Sequence, residues 1–304
     1  MTFYIYLTLT SIGMLTKVWA FFVVKKYWQN VPIYKLTLSL VCVLIVHSLL
    51  ELYSYIPAFR DHPNALYRGM IGYYICFVSF MTIIPFIALM ITRRAVPKIL
   101  GVSFIVYNII LILLLLFSDL VINGVVQLGF TYTSTKGSAY FLFLLTIFAS
   151  TGYTTYILHK RNKDVSAFTY IRARNISISF FPFSLVIIGA LIAIQLGVKI
   201  NVLGILPITI AIFTAAIADN ICNKYITDYT YWIPFSKKRR QLNRLVKPFI
   251  SIQHDGLDAE LKKEYNKLIT QHALELFDGN QTKAAEWLKV SQSWVSRNNK
   301  NIND

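Results

Sequence analysis

Two sets of side chains in this sequence have types and spacings that could do chemistry. The first lies in residues 279–300, GNQTKAAEWLKVSQSWVSRNNK. There Ala284, Ala285, Leu288, Val290 and Val295 are spaced so that two short helices would turn them to one side. Ser291, Gln292, Ser293, Ser296, Arg297 and Lys300 are left on the other side, with Lys283 close by in sequence. A helix face of this kind suits base-edge recognition, because Gln pairs with adenine and Arg with guanine or a phosphate. The second set lies in apolar sequence. His47 and Glu51 are four residues apart and share a helix face, and Tyr53, Tyr55, Tyr73, Tyr74 and Tyr140 fall at about the same depth. A His–Glu pair ringed by tyrosines is a polar anchor for a small signal molecule. The same residues also fit an interhelical hydrogen-bond pair inside an interfacial aromatic belt.

The rest of the chain must position these groups, and most of it reads as membrane. The 304 residues are 56% hydrophobic and 14% charged, with mean hydropathy +0.54; ordinary soluble domains carry about 25% charged residues. A spanning helix needs roughly 20 apolar residues. Seven stretches qualify: 3–24, 36–57, 69–92, 99–118, 137–158, 176–198 and 202–222. The fourth, with IILILLLLF, leaves no soluble alternative, and Pro182 in the sixth is tolerated inside lipid. The N-terminus has no basic region or small-residue cleavage site, so the first stretch reads as a retained helix. Cys42, Cys76 and Cys222 sit singly in apolar runs, without metal or disulfide spacing.

Loop charge gives an orientation. Eighteen Lys and Arg residues, among them Lys25, Lys26, Lys35, Arg93, Arg94, Arg172 and Arg174, fall on one side, and four (Arg60, Arg68, Lys136, Lys199) on the other. The positive-inside rule puts the N-terminus outside and the C-terminus in the cytoplasm of a bacterial inner membrane. Within the spans, Lys17 reads as a side chain snorkelling from the first helix, and Asp219 and Asn220 as the polar end of the seventh or a lock for signal transfer. The connection 119–136 is the longest outer loop. Alternation in VVQLGFTYT predicts a strand or short hairpin there, placed to cap a pocket.

The sequence divides into a seven-helix membrane domain (1–225), a connector (226–256) and a small three-helix domain (257–304). Six basic residues between Lys237 and Lys247 suit anionic lipid or phosphate. Leu242, Leu245 and Val246 suit a short helix able to pair in a dimer. In the small domain Asp258 is the expected N-cap of a helix reaching Phe277. Asp278-Gly279-Asn280 stops that helix, Gly and Asn being suited to the left-handed conformation. Residues 281–288 and 292–300 form the next two helices. Residues 251–304 carry seven Lys/Arg and eight Asp/Glu, but 281–300 carry four bases and one acid.

Two resemblances follow from these segments. FTYTSTKGSAYFLF leading into the fifth span, and LPITIAIFTAAIADNI in the seventh, resemble the seven-helix sensor region of some bacterial histidine kinases. That resemblance covers roughly residues 1–225 and implies helices that bind a ligand or sense membrane state and bias a cytoplasmic output domain. The run AL-x4-GN-x3-AA-x2-L-x-V resembles the Fis-type helix-turn-helix. It is carried by Ala273, Leu274, Gly279, Asn280, Ala284, Ala285, Leu288, Val290 and Arg297. This second resemblance implies DNA as a partner and a homodimer acting on two half-sites. The chain departs from it twice, with Lys289 where the turn usually holds Gly and Asn298 where the last helix usually holds an apolar residue. No kinase, nucleotide loop, catalytic triad, zinc spacing or soluble carboxylate dyad follows the membrane half, so neither an enzyme nor a cofactor is expected. The expected class is a membrane-bound one-component transcription regulator. The alternatives are a transporter or channel using Lys17, His47, Glu51 and Asp219 as a polar path, or a membrane sensor whose tail docks on another protein.

Overall fold

A computed structural model describes residues 2–56, 62–94, 98–128, 131–160, 167–195, 205–222, 228–231, 233–234, 236, 239–240, 242–243 and 257–303. Helices dominate. In order they are α1 (Thr2–Lys26), α2 (Pro32–Ser54), α3 (Pro63–Ile91), α4 (Lys98–Phe117), α5 (Tyr140–His159), α6 (Ala167–Gln195) and α7 (Leu206–Cys222). A hairpin of β1 (Ile122–Leu128) and β2 (Thr131–Lys136) lies between α4 and α5. After a 3-10 turn at Tyr229–Tyr231 come α8 (Leu257–Leu276), α9 (Gln281–Leu288) and α10 (Gln292–Asn303). The chain forms two units, Met1–Ile226 and Thr227–Asp304.

Among the described residues, α1 to α6 are long and apolar enough to cross a membrane, while α7 is apolar but only 17 residues long. The first unit is therefore a multi-pass bundle. Three residues assigned to the seventh span, 202–204, lie outside the described residues. Pro32 and Pro63 occupy first turns, where a missing N–H costs nothing, so α2 and α3 start before the apolar runs that mark them in the sequence. The larger revision is α6. It begins at Ala167, so Arg172 and Arg174 are helical residues and not loop charges.

α3 packs on α2, α4 and α5 and reaches β1 and α6. Aromatic residues fill the space between α3, α6 and α7: the ring centroids of Phe80 and Phe183 are 5.2 Å apart, and those of Phe180 and Phe213 5.1 Å. Pro85 interrupts α3 and deprives the Met81 carbonyl of its in-helix donor. Ser150 of α5 supplies the replacement, its Oγ donating to Met81 O at 2.5 Å. Such an interhelical donor is how a spanning helix keeps a proline without a bare carbonyl in lipid. α1 and α7 meet at Gly13, where a Cβ would stand 2.9 Å from the Pro207 carbonyl oxygen.

The hairpin is fastened at its base. Gly137 N donates to Val121 O at 3.0 Å and Ala139 N to Leu120 O at 2.7 Å. A Cβ at position 137 would lie 2.1 Å from Leu120 O, so the close approach requires glycine there. Tyr67 Oη sits 2.7 Å from Asp119 Oδ1 and 2.9 Å from Ile122 O. On β2, Tyr74 Oη and Ser134 Oγ share a hydrogen bond of 2.6 Å, which ties the strand to α3.

In the second unit, α8, α9 and α10 pack on one another around Ala273, Ala284, Ala285 and Val295. Asp258 lies inside α8 and does not precede it. Chain reversal uses Asp278 (φ 53°) and Gly279 (φ 82°) as the left-handed residues. Asn280 is instead extended, and its side chain accepts from Lys283 N at 3.1 Å as the N-cap of α9. Lys289 takes φ 55° at the α9–α10 turn, and Val290 N closes the turn onto Ala285 O at 3.0 Å. A left-handed Lys costs roughly 1–2 kcal/mol, and the flanking packing of Leu288, Val290 and Val295 offsets it. In the connector, Lys237, Lys238, Arg244 and Lys247 lie outside the described residues.

Candidate functional site

The interior of α1 and α2 is polar. Lys17 is fully buried, and its Nζ donates to Ser48 Oγ at 2.5 Å. It does not snorkel: position 17 is in the middle of a 25-residue helix, and its side chain turns inward to α2. Thr10 Oγ1 donates to Glu51 Oε1 at 3.4 Å. The His47 ring packs against Tyr73, with centroids 4.1 Å apart and planes tilted by 34°. Among the described residues neither His47 nitrogen has a hydrogen-bond partner, nor has Glu51 Oε2. His47 and Glu51 thus share a face without bonding to each other.

A pocket of about 60 Å³ opens beside this cluster, lined by Glu51, Tyr53, Tyr55, Tyr73, Met70 and Tyr132 among others. Four of the seven residues singled out for a signal pocket (Glu51, Tyr53, Tyr55 and Tyr73) line it. His47 stands behind the Tyr73 ring. Tyr74 and Tyr140 pack instead on Phe143, with centroids 4.7 and 5.6 Å away. Tyr132 is the lining residue that arrives from the hairpin. Period-two alternation of β2 puts Tyr132 and Ser134 on one face, and both reach α2 or α3 residues. Gly69 gives the pocket its width, since a Cβ there would touch the Tyr53 ring at 3.3 Å.

The second candidate surface is on α9 and α10. Ser291, Gln292, Ser293, Arg297 and Lys283 are exposed, and Ser296 is half-buried. Lys300 falls on α10 one turn beyond Arg297. Ser291 is partly spent on structure, because its Oγ accepts from Trp294 N at 3.2 Å and so caps α10. Arg297 Nε leans back on Ser293 O at 3.4 Å. Asn298, at the position lacking an apolar anchor, donates from Nδ2 to Trp294 O at 3.0 Å. Anchoring of α10 therefore falls to Val295 and the half-buried Trp294. The result is an exposed helix face with Gln292 at its start, Arg297 near its middle and no carboxylate between residues 291 and 303.

Fold and surfaces together define a multi-pass α-helical membrane protein followed by a separate three-helix unit. No family model matches the chain, and no curated protein or solved structure matches it either.

Proposed function

We propose that this protein is a membrane-bound transcription regulator. Its membrane bundle receives an external or membrane-borne signal, and its C-terminal unit binds DNA from the cytoplasmic side of a bacterial inner membrane. The carrying observation is the pairing of α9 and α10: two short helices joined by a left-handed turn at Lys289, packed through Ala284, Ala285 and Val295, presenting an uncovered Gln, Ser and Arg face. A helix set in this way lies in a major groove with its first residues at base edges. α7 is taken as the seventh crossing, which puts the tail on the side favoured by the loop charges. Two copies acting on two half-sites would supply the affinity that one acidic tail lacks. The tyrosine pocket is the proposed entry for the signal, with Glu51 as its polar anchor.

Genomic DNA crosslinked to the full-length protein in cells should map to discrete sites and be lost in Arg297→Ala. Identical maps for both proteins would refute the groove assignment. Removing the pocket's polar anchor in His47→Ala/Glu51→Ala should abolish the transcriptional response at unchanged expression. A specific observation favours a second reading: Lys17, Ser48, Thr10 and Glu51 form a polar line inside the bundle, as a transporter or channel with a regulatory tail would need. Ion or solute flux in proteoliposomes that disappears in Lys17→Met would select that reading.

A further inference from the structure

A second cavity, about 1040 Å³, lies at the opposite ends of α2 and α3 from the tyrosine pocket. The end of α1, the start of α2, the end of α3, the start of α6 and the end of α7 all contribute to its wall. Its size is at the top of the range for small-molecule sites, roughly 300–1,000 Å³. Two arginines, Arg93 and Arg172, line it together with neutral Gln29, Tyr34, Thr169 and Asn220; no carboxylate does among the described residues.

The arginines are the groups with donors to spare. Asn220 is already engaged, its Oδ1 accepting from Asn175 at 2.9 Å and its Nδ2 donating to Ala216 O at 2.8 Å. Tyr34 Oη donates to Ile221 O at 3.2 Å. The neighbouring Arg94 donates from Nη2 to Lys160 O at 2.5 Å, whereas Arg93 faces the cavity. Arg172 Nε is buried and has no hydrogen-bond partner. A buried guanidinium N–H without an acceptor is costly, and a carboxylate or phosphate group meets a guanidinium with paired hydrogen bonds. Val31, Ile33, Ile91 and Ile176 give the same cavity apolar walls. Paired cationic forks beside an apolar slot, between membrane helices, fit a phosphate ester with an attached hydrocarbon part.

We infer that this cavity binds a phosphate ester through Arg93 and Arg172. Asn220, Ile221 and Cys222, the last residues of α7, form part of the wall, and the chain runs directly from them into the connector. Occupancy therefore acts on the end of the last apolar helix before the tail. The inference stands whether or not the tail binds DNA.

The test uses the full-length protein in nanodiscs. In discs containing phosphatidylglycerol, native mass spectrometry should find the lipid retained by the wild type. Arg93→Gln/Arg172→Gln should retain it about tenfold less or worse, the loss expected when charge-assisted hydrogen bonds go. Lys25→Gln/Lys26→Gln, which removes two charges outside the cavity lining, should retain it as the wild type does. In dodecyl maltoside, a detergent without phosphate, a saturable rise in melting temperature with pyrophosphate, absent in the arginine variant, would identify a soluble phosphate as the source. Should the double variant not express, Arg93→Gln alone, at an exposed position, gives the same readout. Equal lipid retention by wild type and arginine variants, with no arginine-dependent effect of pyrophosphate, overturns the inference.

Discussion

Val295→Ala tests the three-helix unit most directly, because that unit rests on a very small core. Its buried apolar side chains, among the described residues, are Ala273, Ala284, Ala285 and Val295, so Val295 is the largest of them. Truncation removes about two methylene equivalents, or ~1.6 kcal/mol of burial at ~0.8 kcal/mol each. The cavity left behind raises the loss to roughly 2–3 kcal/mol. A unit of about 50 residues has a stability of roughly 2.5–7.5 kcal/mol, so about a quarter or more of it is lost. Hydrogen exchange on the full-length protein in nanodiscs reads this directly. At ~1.4 kcal/mol per factor of ten, protection across α8 to α10 should fall about 30- to 150-fold, with α3 unchanged. DNA retention should fall with it, although Val295 faces inward. Arg297→Ala should lose DNA while leaving exchange untouched, because Arg297 is exposed. Unchanged protection in Val295→Ala would mean that α10 is not packed through that residue, and the orientation of the proposed DNA face would fail with it.

Three further outcomes follow from the membrane unit. Ser150→Ala should cost about 0.6–1.7 kcal/mol in a membrane unfolding assay by baring the Met81 carbonyl; Pro85→Ala, which restores an in-helix donor, should abolish that cost, and an undiminished cost would show that Ser150 acts otherwise. Gly137→Ala should cost about 1–3 kcal/mol or more from overpacking against Leu120, whereas Gly152→Ala, with nothing within 4 Å of its added Cβ, should be neutral; equal melting temperatures for the two would count against the docked hairpin. Gly13→Ala should overpack α1 against the Pro207 backbone of α7 and cost about 1–3 kcal/mol in the same unfolding assay; unchanged stability would count against that close contact.

The membrane helices were legible because apolar length alone defines them: 99–118 became Lys98–Phe117 and 3–24 became Thr2–Lys26. Their starts were less legible where polar or basic residues join an apolar helix, as Arg172 and Arg174 do in α6. Spacing also placed Ala284, Ala285 and Val295 inside and Gln292 and Arg297 outside. The failures concern which neighbour a side chain meets. Lys17 looks like a snorkelling residue in one dimension, and only the position of Ser48 on α2 turns it inward. Tyr74 and Tyr140 share a depth with the pocket tyrosines, but helix rotation turns them to Phe143. Arg93 and Arg172 read as loop charges in one dimension; their common cavity depends on five chain segments that no local pattern relates.

The contacts of α1 explain how a signal at the pocket could bear on α7. Glu51, at the pocket, accepts a hydrogen bond from Thr10. One turn further along α1, Gly13 lies against the Pro207 backbone of α7. One turn beyond that, Lys17 returns to α2 through Ser48. α1 is thus held to α2 by two polar contacts and to α7 by a contact too close for a Cβ. Packed interfaces of this kind move between discrete arrangements and do not deform smoothly. A ligand that takes up the unpaired Glu51 oxygen competes with Thr10 for this carboxylate, and a shift of α1 on α2 would press on the Pro207 backbone. A polar cluster inside an apolar bundle costs stability that Leu or Phe in its place would return; what it supplies instead is a fixed register of α1 on α2, through Thr10–Glu51 and Lys17–Ser48.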